Sequence, residues 1–569
     1  MGATNLSKIK REKLLQTISE IKKKVTDEET LNNLSLIENE LNSKKFGLVW
    51  EEHQENVDVE LENKIPTFIE IKKNEVSNST DNNYNFLIEG DNLHSLYLLE
   101  KTHKEKIDVI YIDPPYNTGA KTWRYNNDYV DKEDSYRHSK WIEMMKRRVE
   151  IAKKLLTPTG FFVCAIDANE LFSLGLLLDE IFGEQNRLGL VTVLHNPKGR
   201  NFTKWFSANS EYMLVYAKDS RVANFNETAI DEEVKKTFTL QDPGDSRKYR
   251  LEPFLRSRTE TLRENKPNFW YPLYVSPDLK EITRTNIDGY IEVYPIASNG
   301  KEATWINLPE TFDEKNKLGW FVAKKENKKI VIYRKLYEQQ VYKNVWTDKK
   351  YHSEFNGTNV LKDILGKNIF DYPKSIYLME DILKLTAKKD SIILDFFAGS
   401  GTTGHAVMNL NKEDNGNRKF ILCTNNENKI CEEVTYQRIK TVITGIRSNG
   451  SKYSDGTKEN LKYYRTDFIP RINSEEENLH NNLLTNIKNM IQLDNHINID
   501  NKKVIVCLDE EQFDLITKDS KKLDECEKIY ISSDILMTNL QEKILENNNI
   551  EVFIIPEYYF KDEIMEVTE

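Results

Sequence analysis

The most constraining feature of the chain is a pair of apolar runs, each ending in a loop of unusual composition. Val109-Ile110-Tyr111-Ile112 runs into Asp113-Pro114-Pro115-Tyr116, and Ile392-Ile393-Leu394 runs into Asp395-Phe396-Phe397-Ala398-Gly399-Ser400-Gly401-Thr402. Short apolar runs bounded by turn residues read as buried strands. Around them strand, turn and helix alternate. Phe86-Leu87-Ile88 ends at Glu89-Gly90-Asp91-Asn92, and a helix is expected from about Leu93 to Thr102. Another is expected from Ser139 to Leu156, ending at Thr157-Pro158-Thr159-Gly160, followed by a strand over Phe161–Ile166, a helix over Glu170–Phe182 and a strand over Leu188–Leu194. Such alternation predicts a parallel sheet covered by helices, an α/β architecture.

From about Val222 to Leu365 the pattern changes to aromatic, proline-containing and β-rich fragments such as Trp270-Tyr271-Pro272-Leu273-Tyr274 and Lys329-Ile330-Val331-Ile332-Tyr333. An inserted domain is expected there, with the alternation resuming at Tyr377. The predicted organisation is a helical arm over 1–60, one half of the α/β domain over 61–220, the β-rich insert over 221–365, the second half over 366–465, and a small α/β region over 466–569 that could contact a partner. The first 42 residues carry apolar positions at helical spacing, read either as a solvated hairpin or as a partner-binding arm. No run of about 18 apolar residues predicts a membrane span. Five cysteines without a CxxC pair point to reduced thiols and a cytoplasmic setting, with neither a disulfide framework nor a metal site.

Net charge is −11. Local patches, not net charge, set attraction to phosphate. Lys198, Arg200 and Lys204 cluster in one stretch, and Arg247, Arg250, Arg256 and Arg258 in another. These are the candidate nucleic-acid contacts.

The two loops suggest a chemistry. In open α/β sheets ligands bind beyond the carboxyl ends of the strands. Gly399-Ser400-Gly401 provides a turn of little bulk that a ligand can approach, and without a following Gly-Lys-Ser/Thr it is no nucleoside-triphosphate loop. Asp113-Pro114-Pro115-Tyr116 supplies a carboxylate, a rigid carbonyl and an aromatic plane. The carboxylate and the Pro114 carbonyl can accept the two N–H groups of a primary amine on a planar base while Tyr116 stacks on its ring. No Pro-Cys nucleophile, Ser/His/Asp trio or metal cluster competes with this reading.

In these residues and their order the chain resembles the β-class of amino-DNA methyltransferases, most closely the Mod (modification) subunits of type III restriction-modification systems. The resemblance covers roughly residues 45–440 and includes Phe46-Gly47-Leu48-Val49-Trp50-Glu51, Glu89 through Leu93, Asp113 through Gly119, His195-Asn196-Pro197-Lys198-Gly199-Arg200-Asn201, Phe370-Asp371-Tyr372-Pro373-Lys374 and Asp395 through Thr402. It implies a Rossmann-like S-adenosylmethionine-dependent fold with an inserted target-recognition domain. It assigns the flipped adenine to Asp113, Pro114, Pro115 and Tyr116. The donor falls to Asp91, Asn92, Asp113, Pro373, Lys374, Asp395, Phe396, Phe397, Ala398, Gly399, Ser400, Gly401 and Thr402, with Asn425 standing where an acid often binds the ribose. It implies methylation of adenine N6 in double-stranded DNA after base flipping, a homodimer and a separate ATP-dependent restriction (Res) subunit. The competing readings are a solitary adenine methyltransferase, a cytosine-N4 or RNA methyltransferase, and a non-catalytic DNA-binding assembly protein.

Overall fold

The alternating apolar runs form one large sheet. The computed structural model describes residues 6–43, 55–118, 137–199, 205–226, 235–245, 247–256, 261–326, 329–338, 342–470 and 476–556. Contacts divide the chain into two compact units, one comprising the residues up to Asn226 and from Asn344 onward, the other Glu227–Lys343.

In the larger unit the strands are β1 (Lys64–Glu70), β2 (Asn85–Glu89), β3 (Ile107–Ile112), β4 (Leu156–Ile166), β5 (Arg187–Leu194), β6 (Ser210–Ala217), β7 (Val345–Trp346), β8 (Ile392–Asp395), β9 (Lys419–Thr424) and β10 (Asn460–Pro470). Their spatial order is β1-β10-β2-β9-β8-β3-β4-β6-β5-β7. The run from β10 to β4 is parallel, and β6 is antiparallel to both β4 and β5. The principal helices are α1 (Leu6–Lys22), α2 (Glu28–Ser43), α3 (Asn92–His103), α4 (Arg137–Leu155), α5 (Leu171–Phe182), α6 (Ile376–Thr386), α7 (Thr402–Asp414), α8 (Tyr436–Thr444) and α9 (Glu476–Asn495).

Period-two alternation sends each strand's side chains to opposite faces. Ile110 and Ile112 join a core with α3, α4, α5 and α9, whereas Val109 and Tyr111 join a core with α6, α7 and α8. The sheet is thus the middle of three layers. The chain runs outward from β3 to β4 on one side and from β8 to β9 on the other, so the switch in strand order falls between β3 and β8. Those strands are hydrogen-bonded neighbours, with Val109 opposite Ile393 and Ile110 opposite Leu394. Adjacent strands lie about 4.8 Å apart, so the two special loops leave the same sheet edge side by side.

Three expectations are corrected. Thr157–Gly160 is no helix-ending turn: β4 begins at Leu156, which pairs with Ile107. The insert ends at Lys343 and not near 365, because Val345 and Trp346 pair with Thr192 and Val193 while Leu361, Ile364 and Leu365 bury in the α6–α8 core. The break placed at 466 falls inside β10, which pairs with β1 through Pro470, and α9 buries Met490, Ile491 and Leu493 against the sheet. Beyond α9 stands a small parallel sheet of Val504–Cys507, Lys528–Ile531 and Glu551–Ile554.

The unit Glu227–Lys343 is β-rich. Four antiparallel strands (Leu240–Gln241, Lys248–Pro253, Lys329–Tyr337, Phe321–Glu326) form one sheet and three shorter ones another. Its core gathers Phe254, Tyr271, Leu273, Trp305, Phe312 and Phe321, and the Trp305 indole donates to the Tyr271 carbonyl at 2.7 Å.

Candidate active site

The loop after β3 is held from below by buried polar contacts. The Trp141 indole N–H donates to the Pro115 carbonyl at 2.7 Å. Asn117, at φ +55°, donates its amide to Glu170, a fully buried carboxylate that also meets His138 Nδ1 at 2.6 Å. The prolines remove two N–H donors and fix φ, so the segment is stiff before any ligand arrives.

Four polar side chains converge above it. The Tyr116 hydroxyl donates to Asp113 Oδ1 at 2.7 Å and lies 3.3 Å from Glu211 Oε2. Lys374 Nζ is 2.6 Å from Glu211 Oε2 and 3.2 Å from Asp113 Oδ1, hydrogen-bonds the Tyr116 hydroxyl, and sits 4.9 Å from the Tyr116 ring centroid. Asp113 Oδ2 has no hydrogen bond among the described residues, and the Asp113 side chain keeps 29% of its surface exposed. Burial pushes the Asp113 carboxyl above its usual range while Lys374 opposes the rise. Burial also works against Glu211, but Lys374 and His195 outweigh it and hold that carboxyl below its usual range. Burial opposes the Lys374 ammonium, and the two carboxylates more than reverse this, leaving its pKa raised.

The second loop is braced differently. Asp395 is buried and accepts from Phe397 N at 3.0 Å and Thr403 Oγ1 at 2.5 Å, and burial lifts its pKa to about 7. Gly401 N donates to the Ala398 carbonyl at 2.7 Å and Thr435 Oγ1 to the Gly399 carbonyl at 2.6 Å. Gly399 (φ +50°) and Gly401 (φ +76°) occupy the left-handed region that glycine tolerates. A Cβ on Gly399 would stand 3.6 Å from Phe370 Cζ and 3.7 Å from the Phe397 carbonyl oxygen, ordinary contact distances that leave no room for a longer side chain on that side.

Of the residues assigned to the donor, Phe397 through Thr402 form this turn and Asp395 and Phe396 lead into it, all of them buried. Asp91 caps α3, accepting from Leu93 N at 2.8 Å and His94 N at 3.3 Å. Asn92 ties the loops together: its amide donates to the Phe396 carbonyl at 3.0 Å and its oxygen accepts from Arg148 at 2.5 Å. Pro373 is buried, and Lys374 faces the Asp113 cluster. At the end of β9 the Asn425 Oδ1 is buried without a hydrogen-bond partner among the described residues. A glycine turn at a helix N-terminus, with that unsatisfied acceptor on the neighbouring strand end, fits a nucleoside carrying an amino-acid tail.

Glu211 and the strand β6 were absent from the sequence reading, and Glu170 appeared there only as the start of a helix. One signal was available for Glu211: it is the lone acid directly ahead of the run Tyr212–Ala217. Of the basic residues, Lys198 is exposed and pairs with Glu354 at 3.3 Å. In the other unit Arg247 pairs with Asp245 at 2.6 Å and lies 4.3 Å from the Tyr337 ring, Arg250 pairs with Glu252 at 2.8 Å, and Arg256 is exposed. Arg200, Lys204 and Arg258 lie outside the described residues, as do Gly119 and Phe46 through Glu51. No metal-binding cluster and no helix long and apolar enough to cross a membrane occur among the described residues.

The family described as DNA methylase matches residues 107–436. The type II methyltransferase M.KpnI of Klebsiella pneumoniae is 32% identical over 364 residues, covering 63% of this chain and 85% of that enzyme. The EcoPI Mod subunit of a type III restriction-modification enzyme, from Escherichia phage P1, is 31% identical over 416 residues, covering 64% of this chain and 63% of that subunit. The StyLTI Mod subunit of Salmonella typhimurium is 34% identical over 401 residues, covering 63% and 56%. The chain therefore spans less than two thirds of the length of these Mod subunits.

Proposed function

Because the chain belongs to the DNA methylase family, we propose that it transfers a methyl group from S-adenosylmethionine to the N6 amine of adenine in double-stranded DNA. The observation that carries this reading is the pairing of β3 with β8, which puts the Asp113 loop and the Gly399 turn at one sheet edge.

When bound, the donor supplies a methyl group made electrophilic by its sulfonium. The chain's own residues do the rest. The target base must leave the duplex to reach the cleft. Asp113 Oδ2, accessible and without another partner among the described residues, accepts one N–H of the amine, and the Pro114 carbonyl accepts the other. Holding both hydrogens turns the nitrogen lone pair toward the glycine turn, so orientation is the principal service. The Tyr116 hydroxyl and the Lys374 ammonium fix the other carboxylate oxygen. With Asp113 ionised, Asp113, Glu211 and Lys374 together carry one net negative charge, which suits an amine that turns positive as it is methylated. Asp113 then takes the surplus proton.

Similarity to the EcoPI and StyLTI Mod subunits supports a modification role in a type III system; we infer further that the chain works in the cytoplasm as a homodimer with an ATP-dependent nuclease subunit. The 85% coverage of M.KpnI favours a second reading, a methyltransferase acting without that subunit. Methylation-sensitive sequencing of DNA from a host expressing this chain, beside an Asp113→Ala control, tests the activity. Modified adenine at one sequence in the wild type alone is expected, and unmodified DNA or modified cytosine refutes the reading. Co-expression with a helicase-bearing genomic neighbour, followed by ATP-dependent cleavage assays, separates the two system types.

A further inference from the structure

Arg438, on α8, is fully buried behind the glycine turn. Its Nη1 donates to Thr402 Oγ1 at 2.7 Å and to Ser400 Oγ at 3.1 Å, with the Ser400 carbonyl at 3.5 Å. Its Nε and Nη2 lie 3.4 and 3.3 Å from His405 Nδ1. Burial and the guanidinium itself keep His405 neutral. Every partner is thus uncharged, and no carboxylate offsets the cation among the described residues.

This is unlike the chain's other buried guanidinium groups. Arg148 forms paired bonds with Glu55 at 2.7 and 2.8 Å, and Arg418 meets Asp414 at 2.8 Å. An unpaired charge in the interior is strongly unfavourable. Burial lowers the Arg438 pKa only to about 10, so the charge persists at neutral pH.

Two observations indicate where the charge acts. A guanidinium only donates, so it uses the Ser400 and Thr402 oxygens as acceptors. Those oxygens lie 3.1 Å apart, so one O–H satisfies the other hydroxyl and one remains to donate to a ligand at the turn. The turn also opens α7, thirteen residues long, whose N-terminus adds partial positive charge at the same place.

We propose that Arg438 is a positioning residue for the methyl donor: it orients the Ser400 and Thr402 hydroxyls and supplies the fixed positive charge that selects the carboxylate of the donor's amino-acid end. The inference rests on the donor assignment and deepens it, giving carboxylate selectivity to a side chain that never touches the ligand. The buried cation finds its counter-charge in the ligand.

The test is calorimetric. S-adenosylmethionine is compared with S-adenosylmethioninamine, which keeps the nucleoside, sulfonium and amine but lacks the carboxylate. The wild type should prefer the carboxylated ligand by about tenfold or more. In Arg438→Met that affinity should fall by about tenfold while affinity for the amine stays within about twofold. Arg438→Lys, which keeps the charge without the planar fork, should fall between. The melting temperature of Arg438→Met should stay level or rise, since an unpaired buried charge is removed. In turnover KM for the donor should rise with kcat at saturation nearly unchanged. Equal weakening of both ligands with a lowered melting temperature overturns the proposal in favour of a structural role. Equal wild-type affinities overturn it even if no variant folds. Failure of both ligands to bind the wild type instead brings down the donor assignment, and this inference with it.

Discussion

The Lys374 ammonium lies 2.6 Å from the Glu211 carboxylate, and the two residues are 163 positions apart in the chain. Glu211 is the second residue of β6, Lys374 follows the β-rich unit, and Asp113, 3.2 Å from the same ammonium, directly follows β3. One cation shared by the two acids opposes the burial that raises the Asp113 pKa and so favours its ionised form, which is an acceptor only. Protonated, it would present an O–H to an amine that needs an acceptor.

Lys374→Met should therefore move the acid limb of the pH–rate profile upward. Burial already raises the Asp113 pKa and Lys374 opposes that rise, so removing Lys374 raises it further. A displacement of about one pH unit or more is expected in kcat/KM for labelled methyl transfer to DNA. Adding Glu211→Gln removes the neighbouring like charge and should bring the limb back down. A limb that stays in place in the single variant contradicts the assigned electrostatics.

Asp113→Ala should lower methyl incorporation by about a thousandfold or more, since it removes an orienting acceptor at the reacting nitrogen. Affinity for S-adenosylmethionine should change by less than about threefold, because the glycine turn does not depend on Asp113. Near wild-type incorporation in this variant would end the catalytic assignment.

Gly399→Val should weaken donor binding by about tenfold or more. The position sits at φ +50°, where a side chain costs about 1–2 kcal/mol, and the valine branches would press on Phe370, 3.6 Å from where the Cβ stands. Gly399→Ala should reproduce the stability loss with a smaller effect on binding, which calorimetry and thermal melting resolve together.

Asp395→Asn should stabilise the fold at alkaline pH relative to the wild type. The Asp395 pKa is raised by burial to about 7, from an ordinary carboxylate value. The native state therefore holds the proton more tightly than the unfolded chain. The associated stability is complete below the unfolded pKa near 4 and is lost as pH climbs through 7. Asparagine can still accept from Phe397 N and can donate its amide to Thr403 Oγ1 in place of the bond it loses, and it does not titrate. The difference in melting temperature between wild type and variant should grow from pH 5 to pH 8, on the order of a few kcal/mol at the upper end. A constant difference would mean that Asp395 is already ionised in the fold at pH 5.

What the linear sequence determined was local. The runs before Asp113 and Asp395 specified two buried strands, because an apolar stretch of that length between turn residues has few other stable arrangements. The prolines and glycines specified the character of both loops, because φ restriction and the lack of a Cβ are properties of single residues. The order of the motifs pointed to the family that residues 107–436 match. The tertiary structure decided which charges meet. Glu211 reads locally as a polar start to a strand, and Arg438 as one basic residue in an amphipathic helix; neither shows a partner within a helical turn or a strand pair. Asp91 and Asp395 read in the sequence as acids at strand ends, and only the fold shows that backbone amides close by bond them as a helix cap and a loop brace. Periodicity encodes which face of an element is apolar. The pairing of an acid with a base 163 residues away depends on strand order, and strand order is settled only when the whole sheet is assembled.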